Sequence, residues 1–417
     1  MNRLMQQSMR VSAATRHGAR RILMLLGPAF VAAVAYVDPG NFAANFGAGA
    51  KYGYLLLWVL IAANGMAAIA QYLSAKVGIV TGKSLPEIIA TRLPLWGRRA
   101  YWLQAEMVAI ATDIAEVVGG AVALSLLFNW PLVYGGIVIG AVSMLLLLLY
   151  NRQGQVIFER VIVALLLLIP IGFFVGLMQH PLQIHGIANG LIPRFAGNET
   201  IMLAAAMVGA TIMPHVVYLH SAIARDRHGR VAKSQLKKYI TATKIDVLLA
   251  MTIAGAVNIS MLLLAASALH GQSVDTFSDI FKQLSQVLGP LVGILFAVGL
   301  LISGLASTAV GSQAGSVIMQ DLLHIPVPLW VRRLVTLLPA IALLVAGFDP
   351  MMLLVVSQVA LSFGVPLALL PLAYVSSSRS IMGSAVNTRV IAWVMYGITA
   401  VVTVLNIVLI FTTIFHQ

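Results

Sequence analysis

Cysteine is absent from all 417 residues, and charge is scarce: Asp, Glu, Lys and Arg together make up 9% of the chain. Without cysteine there is no disulfide framework and no thiolate metal ligand, and the redox compartment leaves no trace. A soluble domain carries about 25% charged residues. This chain is instead 60% hydrophobic, with a mean hydropathy of +0.95. Long polar linkers, low-complexity tracts and an HExxH sequence are also missing, and the last absence disfavours a zinc protease. In their place stands a succession of apolar runs of about 18 residues or more, the mark of transmembrane helices. Strands of a β-barrel alternate inward and outward residues and lack such runs.

The sequence predicts an all-α polytopic membrane protein with eleven spans. They lie near 22–49, 54–79, 101–127, 132–150, 156–178, 201–222, 240–269, 289–319, 332–347, 351–376 and 388–415, behind a tail over 1–21, so that 22–417 forms a single membrane domain. Of the 26 Lys and Arg residues, 23 fall in segments on one side, beginning with Arg3, Arg10, Arg16, Arg20 and Arg21 in the tail, and only Lys51, Arg194 and Lys282 fall on the other. The positive-inside rule then places the N-terminus in the cytoplasm and the C-terminus outside. The same bias explains the net charge of +13 without a nucleic-acid partner, because these charges sit in short loops beside span ends. A basic start, an apolar run and Ala33-Val34-Ala35 outline a signal peptide, but cleavage there would leave the first span half its length.

Two of the spans are interrupted. The first carries Asp38-Pro39-Gly40-Asn41, and the sixth, five spans later, carries "GATIMPHVVYLH" over 209–220. Proline has no N–H to donate and clashes with the preceding turn, so carbonyls just before each break lose their partners. In hydrocarbon that is tolerated only where protein, a water-filled cavity or a bound cation satisfies them. A lone proline is more often a packing kink, but a carboxylate at membrane depth points to function. Corresponding interruptions in two halves point to an inverted-repeat transporter with a midplane site, although no residue-level repeat is visible.

"DPGN" with "MPH" resembles the Nramp family of divalent-metal transporters, close to its bacterial proton-dependent manganese transporters. The segments "SGLASTAVGSQAGSVIMQ" (303–320) and "PLWVRR" (328–333) carry the resemblance further. It implies a LeuT-like fold, with two inverted five-helix repeats (about 22–178 and 201–376), unwound helices 1 and 6, and an extra helix over 388–415. It also implies a set of metal ligands: Asp38, Asn41, the Ala210 carbonyl and the Met213 sulfur, joined by Gln358 on occlusion. Such a donor set suits Mn²⁺ and similar ions such as Fe²⁺, Cd²⁺ or Co²⁺, while the thioether offers nothing to Ca²⁺ or Mg²⁺, which prefer oxygen. By itself Met213 would read as a gap-filler.

Glu106, Asp113 and Glu116 share one face of the third span by their spacing. They form either a structural salt-bridge face or a proton path, with Arg332 and Arg333 as partners. The resemblance implies a route from Asp38 and His215 through Asp113 and Glu116 to the arginines. His220 lies five residues from His215, a poor spacing for a shared metal. Tyr36, Gln71, Thr112, His220 and Asn258 are polar residues within spans that line the pathway or hydrogen-bond within the core. The expected activity is symport of a divalent metal and H⁺ into the cytoplasm of a bacterium across its inner membrane. A channel or a metal-sensing receptor of the same fold is the alternative; an amino-acid or sodium symporter would present small-residue nests rather than Asp with Met. No cofactor, enzymatic activity or obligate protein partner is expected beyond the cargo ions and the bilayer.

Overall fold

The computed structural model describes residues 27–415 except Gly154, His180, Arg230, Ser273 and Pro326. The basic tail over 1–21 lies outside the described residues. In chain order the helices are α1 (Pro28–Ala35), α2 (Pro39–Tyr52), α3 (Leu57–Thr81), α4 (Leu85–Ala90), α5 (Leu95–Phe128), α6 (Leu132–Gln153), α7 (Gln155–Gln179), α8 (Ile184–Gly190) and α9 (Asn198–Thr211). They continue with α10 (Pro214–His228), α11 (Leu236–Ala268), α12 (Phe277–Val287), α13 (Pro290–Leu323), α14 (Leu329–Val345), α15 (Pro350–Ser377), α16 (Arg379–Met382) and α17 (Arg389–Phe415). No strand occurs among the described residues.

Among the described residues, seven elements are long and apolar enough to cross a bilayer: α3, α5, α9 with α10, α11, α13, α15 and α17. The other four expected spans are the divided first helix, α6, α7 and α14. The first is split into α1 and α2, and α14 has 17 residues with two arginines near its start. The connections 179–200 and 270–288 between the expected spans each contain a short helix, α8 and α12. The reason is clear for α12: Thr276 and Asp279 cap it reciprocally, and Phe277, Ile280 and Leu284 are buried. The Thr276 hydroxyl also holds the Asp279 carboxyl below its ordinary range.

The packing is related by an inverted pseudo-twofold. α2 packs along α11 as α10 packs along α3, and α7 packs on α13 as α15 packs on α5. α5 and α13, the third spans of the two halves, pack against each other at the centre. The repeat is thus carried by geometry rather than by matching residues. Four rings, Phe42, Phe46, Phe173 and Phe296, fill the space between α2, α7 and α13, with centroids 5.0 to 6.5 Å apart. The eleventh span, α17, docks on α15, where Asn406 exchanges hydrogen bonds of 2.8 and 2.7 Å with the Ser362 hydroxyl and carbonyl.

Two polar ties join elements at opposite ends of the bundle. At one end Lys51 and Tyr52 of α2 both bind the Glu199 carboxylate of α9. At the other, Arg225 of α10 donates to Glu87 of α4 and Asp321 of α13 at 2.8 and 3.0 Å, and Ser84 donates to Asp321 at 2.6 Å.

Candidate metal centre

Both breaks are built the same way. α1 stops at Ala35, and α2 restarts with Asp38 as its N-cap and Pro39 at its first position; the Asp38 carboxylate accepts the Asn41 backbone N–H at 2.8 Å. α9 stops at Thr211, and α10 restarts with Met213 at the cap and Pro214 first. Four residues before each proline stands a carbonyl that it cannot serve, Ala35 in one helix and Ala210 in the other. The carbonyl ends of α1 and α9 carry the negative pole of the helix dipole and favour a cation, while the N-terminal ends of α2 and α10 favour the Asp38 carboxylate. α5 approaches this crossing closely, since a Cβ on Gly119 would collide with the Pro39 ring.

The structure brings Asp38, Asn41, Ala210 and Gln358 together. The Asn41 side-chain amide donates to Asp38 at 2.7 Å and to the Ala210 carbonyl at 3.1 Å, and Gln358 of α15 donates to the second Asp38 oxygen at 3.2 Å. Met213 caps the facing break, and all five residues are 0% exposed. The amide oxygens Oδ1 of Asn41 and Oε1 of Gln358 have no partner among the described residues. A half-turn of each amide exchanges donor for acceptor, turning two groups that hydrogen-bond to Asp38 into two neutral oxygen ligands. Carboxylate, two amide oxygens, a freed carbonyl and a thioether would then converge. That donor set fits a borderline divalent ion. Among the described residues no cluster of three His, Asp or Glu side chains offers a conventional resident metal site.

Gly40 is what lets Gln358 reach Asp38, because a Cβ there would overlap the Gln358 amide. Gly40→Ala is therefore expected to keep the helices but push Gln358 off the centre, lowering divalent-ion affinity by about ten-fold or more, as displaced site groups typically do. The check is a double-mutant cycle. Gly40→Ala combined with Gln358→Ala should be no worse than Gln358→Ala alone, and additive losses would place the defect elsewhere.

Around the centre the remaining polar residues fall into three groups. On one side the Tyr36 hydroxyl binds Gln71, whose Oε1 meets Nδ1 of His220 at 2.7 Å, while Asn258 donates to the Tyr36 carbonyl at 2.7 Å and accepts from Asn45 at 3.0 Å. On another, His215 Nδ1 lies 3.4 Å from the Thr112 hydroxyl. The two histidines thus diverge, as five residues or about 140° of helix requires. In the third group, Arg332 pairs with Glu106 at 3.2 Å and Arg333 with Asp113 at 2.8 Å, and Arg333 also donates to Ser143 at 2.9 Å. Glu116 lies beside Asp113, and its Oε2 has no partner among the described residues. No hydrogen bond among the described residues joins Asp38 directly to Glu116 or His215.

Sequence reasoning missed several of these residues. Ser143 gives no signal of its own, being one serine in a leucine-rich span. Asp246 does: it is a carboxylate inside the seventh span, and it accepts the Gly27 and Ala29 backbone N–H groups at 3.1 and 3.0 Å, capping α1.

A family model described as Natural resistance-associated macrophage protein-like matches residues 29–412. The "Divalent metal cation transporter MntH" of Mycobacterium tuberculosis (strain CDC 1551 / Oshkosh) is 54% identical over 403 residues, which span 96% of this chain and 94% of that protein. Among solved structures, the Eremococcus coleocola manganese transporter, in complex with an aromatic bis-isothiourea substituted compound, matches with a TM-score of 0.84 at 30% identity, covering 93% of this chain and 86% of that one. MhsT in complex with L-phenylalanine matches with a TM-score of 0.63 at 14% identity, covering 93% of this chain and 98% of that one, and so shares the fold alone. The architecture is LeuT-like, with helices 1 and 6 unwound and an eleventh helix added.

Proposed function

The chain belongs to the Nramp family of divalent-metal transporters, and on that premise we propose that it carries Mn²⁺, along with Fe²⁺, Cd²⁺ or Co²⁺, into the cytoplasm together with protons. Transport runs by alternating access across a bacterial inner membrane, with the N-terminal tail (1–21) inside and the C-terminus outside. The observation that carries this is the convergence of Asp38, Asn41, Gln358 and the Ala210 carbonyl at two crossing helix breaks, with Met213 at the second, all fully buried. A site shut off from solvent is a state that an alternating-access carrier passes through and an open pore does not need. Met213 adds a contact that a transition metal rewards and an oxygen-seeking ion does not.

Charge counting supports the proton. Among the described residues, Glu106, Asp113 and Glu116 face two guanidiniums, Arg332 and Arg333, in a largely buried region. One carboxylate is in excess, and one proton brings the cluster to neutrality, which a low-dielectric setting favours. The cluster stands on α5 and α14, beside the metal donors rather than among them, and the proton's route runs from Asp38 and His215 through Asp113 and Glu116 to the arginines. His215 and Thr112 lie between the two, and the Tyr36–Gln71–His220 chain with Asn258 braces the other side of the break.

The test separates the two roles. In proteoliposomes holding a pH dye, Glu116→Gln and Asp113→Asn are expected to reduce metal-driven acidification by about ten-fold or more, the scale on which positioned proton-transfer groups act. Mn²⁺ affinity, read by calorimetry, should change far less. An affinity loss as large as that of Asp38→Ala would show these carboxyls to be part of the metal site instead.

A further inference from the structure

The segment 303–320 resembles a family signature, yet the metal donors and the proton cluster use none of it. Its first residue, Ser303 on α13, is fully buried, and its hydroxyl donates to the backbone carbonyl of Val37. Asn258 of α11, 2% exposed, does the same for the carbonyl of Tyr36 at 2.7 Å. Both carbonyls belong to the two residues between α1 and Asp38. The Tyr36 and Val37 amides still bond back to Ala33 and Val34, at 3.1 and 3.0 Å. Their carbonyls have left the helix ladder and are held by side chains from two other helices. Only then does the chain reach Asp38.

A backbone carbonyl is a hard, neutral oxygen ligand. Ca²⁺ gathers 6 to 8 oxygens in adaptable geometry and Mg²⁺ accepts only oxygen, so every carbonyl freed beside Asp38 would favour those ions over Mn²⁺. We propose that Ser303, together with Asn258, is a specificity-determining residue: it keeps the Val37 carbonyl out of the pool of ligands, so that a hard cation finds too few oxygens at the break. This rests on the metal-site reading above and adds a second selectivity element to it. Where Met213 rewards the right ion, Ser303 withholds an oxygen from the wrong one.

Ser303→Ala removes the hydroxyl and leaves the Val37 carbonyl buried and unpartnered, which costs about 1–3 kcal/mol unless another group claims it. Ca²⁺ is able to claim it. In proteoliposomes the Ca²⁺ concentration that halves Mn²⁺ uptake is therefore expected to fall by about ten-fold, the equivalent of 1.4 kcal/mol, while Mn²⁺ uptake without Ca²⁺ is retained. Ser303→Thr keeps the hydroxyl and should compete like the wild type. Unchanged Ca²⁺ competition in Ser303→Ala overturns the proposal. So does a parallel loss of Mn²⁺ and Ca²⁺ handling, which marks Ser303 as a structural cap. With Asp38→Ala inactive in the same vesicles, either result removes the selectivity role and leaves the metal site standing; full uptake by Asp38→Ala removes both.

Discussion

Asp38→Ala is expected to reduce Mn²⁺ uptake to that of protein-free vesicles. Asp38 is the only anionic side chain among the proposed donors, and it is fully buried. A divalent ion left with amide, carbonyl and thioether donors forfeits its charge compensation in a low-dielectric site, a cost of several kcal/mol and hence about a hundred-fold or more in affinity. Asp38 also caps α2, so alanine removes a charge and a cap together. Asp38→Asn separates the two, because asparagine caps a helix as well as aspartate does. The asparagine variant should insert and melt like the wild type and still fail to transport. Substantial uptake by a well-inserted Asp38→Asn protein would move the metal site elsewhere.

Arg333→Ala is expected to be the most damaging change outside the breaks. Arg333 is 0% exposed, donates to Asp113 at 2.8 Å and is tied to Ser143 at 2.9 Å. Removing the guanidinium strands a buried carboxylate next to Glu116, and breaking a buried pair from one side costs about 3–5 kcal/mol. The thermal midpoint of the purified protein should drop sharply, and acidification should fail with it. Replacing both partners, Arg333→Ala with Asp113→Ala, should recover much of the stability, since the cluster then returns to its native excess of one carboxylate, but it should not recover proton movement. A double variant as unstable as the single one would show that Arg333 matters through packing alone. Arg332 makes a comparison: its partner Glu106 lies nearer the surface, so Arg332→Ala should cost less.

Much of this was legible in the chain because apolar length and proline chemistry are local properties. The eleven spans, the two breaks and the shared face of Glu106, Asp113 and Glu116 all follow from residues within a few positions of one another. Local chemistry also has a limit, which Asp349 shows. Asp349-Pro350 repeats Asp38-Pro39 letter for letter, and it caps α15 in the same manner, accepting the Met352 N–H at 2.7 Å. Asp349 is exposed and Asp38 is not. What separates a plain cap from a candidate metal ligand is the helices that close over it, and those come from the other half of the sequence.

Pairings across the fold were harder to read for the same reason. Nothing near Arg332 and Arg333 assigns one to Glu106 and the other to Asp113. Nothing near Ser303 points to a carbonyl 266 residues away. Arg225, Glu87, Asp321 and Ser84 read singly as solvated charges and a loop serine. The fold gathers them into a tie between α10, α4 and α13. On the proposed topology that tie lies on the cytoplasmic side, and the Lys51–Glu199–Tyr52 tie lies outside. Each joins one half of a broken helix to its surroundings.

One measurement tests the central claim most directly. Wild-type protein is reconstituted into vesicles containing a pH dye and a Mn²⁺ reporter, and Mn²⁺ is added outside. The prediction is Mn²⁺ entry accompanied by acidification of the lumen that grows with Mn²⁺ flux, with both signals lost in Asp38→Asn. Mn²⁺ entry at constant internal pH would contradict the coupling, and entry that survives in Asp38→Asn would contradict the site.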